Sequence, residues 1–113
     1  MKKTDKKIER AIVVALTEAC EAALTHVPGF SWITHFVNFA RFPGSLVVVA
    51  VFETDDQLRA AQHAQQDIWL TDRICAHLRA SNTPVSIRRE QIHLDTEEAC
   101  QRDNSGNWQE RYQ

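Results

Sequence analysis

The run Leu46–Glu53, LVVVAVFE, constrains the fold more than any other stretch. Its unbroken apolar part, Leu46–Phe52, is seven residues long. That is strand length, far short of the ~20 apolar residues a bilayer-spanning helix needs. β-Branched and aromatic side chains fit a pleated surface, so the run predicts the strongest strand of the chain. Ahead of it, Ala40–Ser45 contains Pro43-Gly44, a turn signal. Before the turn stands Phe30–Phe39, FSWITHFVNF, a second strand by composition. Simple alternation puts Phe30, Trp32, Thr34 and Phe36 on one face and Ser31, Ile33, His35, Val37 and Phe39 on the other. Neither face is cleanly polar, which predicts helices on one side and partial cover on the other. Two strands joined by a short turn make an antiparallel hairpin.

Helices flank the hairpin. Ile8, Ile12, Ala15, Leu16, Ala19, Cys20, Ala23 and Val27 recur at helical spacing, predicting a helix from Thr4 or Asp5, as N-cap, to His26. Pro28 and Gly29 end it. Thr54-Asp55-Asp56 opens a second helical region that reaches Ala80 and bends near Gln65–Asp67, where the chain turns polar. Ser81-Asn82-Thr83-Pro84 stops it. Val85–Leu94 predicts a third strand, with a bulge at Arg88–Gln91 to reconcile its two phases. The expected fold is an α+β, α-β-β-α-β two-layer sandwich, with a mainly antiparallel three-stranded sheet and helices packed on one face. Residues 1–95 form its single domain, and 96–113 a polar tail in which Trp108 and Tyr112, at i, i+4, dock as one helical turn. So small a sheet has open edges, to be covered by the tail or by a second copy of the chain.

With 113 residues and a net charge of −2, the chain lacks the basic excess of a generic nucleic-acid binder. Its charge is uneven. Lys2, Lys3, Lys6, Lys7 and Arg10 outnumber Asp5 and Glu9 at the start, while Glu90, Asp95, Glu97, Glu98, Asp103 and Glu110 outnumber Arg102 and Arg111 at the end. Three cysteines at wide spacing, with no signal-peptide pattern, read as reduced thiols in a cytoplasmic protein.

Chemistry-bearing patterns are few. The five histidines and three cysteines show no Cys-x-x-Cys or His-x-x-x-His spacing. His93, Asp95 and Glu97, at i, i+2 and i+4, share one face of an extended segment and form the one candidate metal set. An ordinary polar strand end explains them as well, and no metal or other cofactor is expected. Cys20 and Cys75 lie on apolar helix stripes and Cys100 among acids, positions that suppress thiol reactivity. Three glycines form no phosphate-cradling loop.

The segments TDKKIERAIVVALTEACEAAL, FSWITHFVNFARFPGSLVVVAVF and HLDTEEACQRDNSGNWQERY resemble a family of short bacterial proteins often labelled "Fis family transcriptional regulator". The resemblance spans nearly the whole chain. The label implies a dimeric, DNA-binding, nucleoid-associated protein in the bacterial cytosol. After Pro84 the residues hold no helix-turn-helix with a basic recognition helix.

The residues point to a small non-enzymatic interaction or regulatory module acting through a protein partner or self-association. Its expected contact residues are Trp32, His35, Phe39, Arg41, Phe42 and Trp108. The alternative is a nucleic-acid-binding regulator using Lys2, Lys3, Lys6, Lys7, Arg88 and Arg89, with a steep salt dependence. A third reading is a metal or small-ligand protein. No membrane contact is expected.

Overall fold

In the computed structural model, which describes residues 2–113, the order of elements is α1 (Lys3–His26), β1 (Phe30–Phe36), β2 (Val47–Phe52), α2 (Asp55–His63), α3 (Gln66–Arg79), β3 (Ile92–Thr96), α4 (Glu97–Asn104) and α5 (Trp108–Arg111). The chain has the α+β fold expected from its pattern, with helices packed against a three-stranded sheet in the order β1-β2-β3. β1 and β2 pair antiparallel as a hairpin. β3 pairs parallel to β2, so the sheet is mixed where a mainly antiparallel one was expected. The reason is the connection 53–91: a crossover through α2 and α3 returns the chain to the same end of the sheet, as parallel pairing requires.

α1 begins at Lys3 with Lys2 as its N-cap, so Thr4 and Asp5 lie within the first turn. There Asp5 favours the positive helix end. The second helical region is two helices, divided at Gln65, whose φ of 60° breaks the ladder. α2 opens with a capping box: Thr54 Oγ1 accepts from the Gln57 N–H, and the Gln57 side chain accepts from the Thr54 N–H.

The strands differ from expectation in three further places. The predicted strand Val85–Leu94 is a strand only from Ile92. Val85 is buried with its N–H on the Leu78 carbonyl, but residues 85–88 have no strand beside them and Arg89–Gln91 forms a 3-10 turn in place of a bulge. The bulge lies at Ser31 in β1, between the pairs Phe30↔Phe52 and Trp32↔Val51. It moves Phe30 to the face of Ile33 and His35, where it meets Phe52 edge-on. The hairpin strands are also shorter at their turn end, where Phe39–Arg41 is a 3-10 turn.

The inner face of the sheet, with Phe30, Val48, Ala50, Phe52 and Ile92, packs on Ile12, Leu16, Ala19, Ala23, Leu70, Ile74 and Leu78 of α1 and α3. On the outer face, Val49 and Val51 are also fully buried, and Trp108 and Tyr112 lie on that face against Trp32, Phe36 and His93. No described helix is long and apolar enough to cross a membrane.

Candidate functional site

The expected contact residues occupy three separate places. Trp32 and Trp108 belong to a half-buried aromatic cluster on the outer sheet face. Trp32 meets Trp108 edge-on at 5.3 Å, and its indole N–H donates to Glu97 Oε1 at 2.6 Å. Tyr112 stacks on Phe36 at 5.8 Å and meets His93 edge-on at 5.6 Å. Beneath the rings, Asp95 accepts from Arg111 Nε at 2.6 Å and Nη2 at 3.0 Å, from the Tyr112 hydroxyl at 2.6 Å and from the Thr96 N–H at 2.8 Å. The bidentate geometry is the strong form of an arginine–carboxylate pair. Burial alone pushes the Asp95 carboxyl up, but the donors from Arg111, Tyr112 and Thr96 outweigh it and hold it below its ordinary value. Burial, together with the carboxylate it donates to, pushes the Tyr112 phenol up. These groups fasten the C-terminal segment to the sheet.

The same contacts dissolve the metal candidate. Asp95 is held by Arg111, Glu97 accepts a hydrogen bond from the Trp32 indole N–H, and His93 lies against Tyr112. Among the described residues no three His, Cys, Asp or Glu side chains gather as a metal-holding group.

His35 lies on the opposite face. Its Nε2 meets the Glu9 carboxylate of α1, with Oε2 at 3.2 Å. The two side chains are 17% and 29% exposed. Beside this pair runs a groove of about 320 Å³ between α1 (Val13, Leu16, Thr17, Cys20, Glu21) and β1 (Trp32–His35). Cys20 does not complete a nucleophile–base pair with His35. Glu9, which holds the imidazole, is eleven residues from Cys20, about 16 Å along the helix, and burial pushes the Cys20 thiol up. Glu9, Val13, Leu16 and Cys20 form one helical row. An acid in register with an apolar row, opposite a histidine in an aromatic strand, is the sequence signal for this pair.

Phe39 and Phe42 form a third place, a tilted ring pair 5.7 Å apart in the hairpin loop, with exposed Arg41 between them. The cations of the nucleic-acid reading also divide. Lys2, Lys3, Lys6 and Lys7 stand exposed at the start of α1, with Lys7 facing the turn 81–83. Arg89 pairs with Asp72 of α3, and Arg88 lies 4.0 Å from Glu90.

Fold and site together define a small α+β protein whose mixed sheet is covered on both faces and open along β1. No family model, curated protein or solved structure matches the chain.

Proposed function

We propose that the chain is a non-enzymatic interaction module that self-associates, with the free side of β1 and the adjoining flank of α1 as its contact surface. One observation carries this reading: β1 is an edge strand with β2 on one side only, and the helix flank beside it is apolar and uncovered. Val13 is 47% exposed and Leu24 54%. Unpaired strand edges recruit strands, and apolar surface beside them adds burial.

A second copy fits the surface because α1 is electrically two-sided along its length. On the flank of Val13, Lys3 and Lys6 precede it, while Glu21 follows it. A two-fold axis perpendicular to α1 sets the two helices antiparallel, so each basic half meets an acidic half. The same axis brings β1 antiparallel to its copy. The nucleic-acid alternative receives less support. The aromatic outer face, which would offer bases a stacking platform, is occupied by Trp108 and Tyr112 of the chain itself.

Sedimentation velocity across a concentration series tests the reading. The wild type sediments as a dimer, and Val13→Glu and Leu24→Glu, both at exposed positions, sediment as folded monomers. A wild type that stays monomeric up to its solubility limit overturns it, as does a dimer indifferent to both substitutions.

A further inference from the structure

On the far side of α1 from the β1 groove lies a second concavity, of about 380 Å³. Its walls are Lys7, Arg10, Ala11, Val14 and Glu18 of α1 and Ala80, Ser81, Asn82 and Thr83 after α3. We propose that this cleft binds a small organic anion: a phosphate or carboxylate group held by Lys7 and Arg10, attached to a body that carries hydroxyl groups.

Four features support the assignment. The first is size, since 380 Å³ falls in the range of small-molecule sites. The second is charge. Lys7 and Arg10 take part in no ion pair among the described residues, although five other arginines do: Arg59, Arg88, Arg89, Arg102 and Arg111. The negative end of α3 attracts cations, yet neither side chain donates to its carbonyls among the described residues. The third is the turn. The Ser81 hydroxyl lies 2.9 Å from the Leu78 carbonyl and 2.8 Å from that of Thr83, which fixes the turn's shape. The Asn82 amide and the Thr83 hydroxyl have no protein partner among the described residues, and both residues line the cleft. The fourth is the floor. Val14 is apolar and 51% exposed, between Ala11 and Ala80, where the carbon skeleton of a small molecule would cover it.

The cleft is polarised along its length. Arg10 and Glu18 are eight residues apart on one helix, about 12 Å. An anion therefore sits at the Lys7 end, and a hydroxyl that donates to Glu18 at the other. Phosphate and carboxylate share the chemistry of the first subsite, and separate probes distinguish them.

Amide chemical shifts of the full chain, followed by NMR during titration with glucose 6-phosphate, glucuronate and glucose, test the site. Saturable shifts at residues 10–14 and 81–83 are expected with one or both anions and not with glucose. Glucose 6-phosphate as the tighter probe makes the ligand a phosphate, and glucuronate makes it a carboxylate. Lys7→Gln and Asn82→Ala, both at exposed positions, should each weaken the tighter probe, Lys7→Gln by about ten-fold or more. The proposal is overturned if no probe gives saturable shifts there, if glucose binds as tightly as the anions, or if both variants bind like the wild type.

Discussion

Asp95 is where the sequence binds its own C-terminal segment, and Asp95→Asn measures how firmly. The residue is 7% exposed and accepts from four donors. Asparagine keeps the volume but removes the charge, and it turns one acceptor into a donor that faces Arg111 or Tyr112. Removing one partner of a fully buried ion pair costs about 3–5 kcal/mol. The Arg111 side chain is 20% exposed and can turn toward water, which lowers the expected loss to about 2–3 kcal/mol. For a chain of this length that is a fall in Tm of roughly 8–12 °C. Urea unfolding, followed by tryptophan fluorescence and far-UV dichroism, measures it. A loss below about 0.5 kcal/mol would refute the claim that this carboxylate anchors the segment.

The pH dependence gives a second check with a definite sign. The native Asp95 carboxyl is held below its ordinary value, so as pH falls the unfolded chain takes up this proton first. The stabilisation is complete above the unfolded value of about 3.9 and is lost as pH drops through the lower native value. The stability difference between wild type and Asp95→Asn should therefore be constant near neutrality and shrink in acid. A difference that grows in acid contradicts the assignment.

Three further outcomes are expected. Gly29→Ala should destabilise by about 2–3 kcal/mol in the same assay, because Gly29 has φ +84° and an added Cβ would stand 2.7 Å from Gln57 Cβ, in the capping box of α2; tolerance within about 0.5 kcal/mol would count against the turn geometry. Trp108→Ala should red-shift the fluorescence and cost about 2 kcal/mol by uncovering Trp32, whereas an unchanged spectrum means that α5 does not cover it. A chromogenic thiol reagent should find Cys100 silent until unfolding, since it is fully buried and burial pushes its thiol up; Cys20 and Cys75, half-buried with thiols pushed up by burial, should react slowly.

What the sequence discloses follows the range of the forces involved. The α1 stripe, the apolar β2 run, and Thr54 and its acids are local patterns, and each produced its element. Phe30 defeats simple alternation because one extra residue at Ser31 reverses the phase, and nothing in the tripeptide Phe30-Ser31-Trp32 marks the bulge. Val85 and Ile87 read as strand because they are apolar and extended. They are buried or half-buried in the core, but with no strand paired beside them. The direction of β3 was open to inference from the length of the connection 53–91, which two helices fill. The side-chain partnerships were not legible. Asp95 and Arg111 are sixteen residues apart, and Trp32 and Glu97 sixty-five, so their meeting depends on the whole fold. For the same reason the sequence does not show that Trp32 and Trp108, both expected as contact residues, meet each other as half-buried rings.

The closure of both sheet faces is what directs the proposed association to the strand edges. With α1 and α3 on the inner face and α5 on the outer, the strand edges are the backbone left to a partner. The two edges are not equivalent. β3 is five residues long and follows a 3-10 turn, and its Asp95 is committed to Arg111. Short strands and embedded charges are the devices that blunt an edge against pairing. β1 is seven residues long and carries no lysine, arginine, aspartate or glutamate. Its one titratable side chain, His35, is turned inward to Glu9. Its bulge lies at one end, which leaves Trp32–Phe36 in regular register. The proposed self-association rests on this asymmetry: the shorter edge is blunted, and the longer one lies beside the exposed Val13 and Leu24.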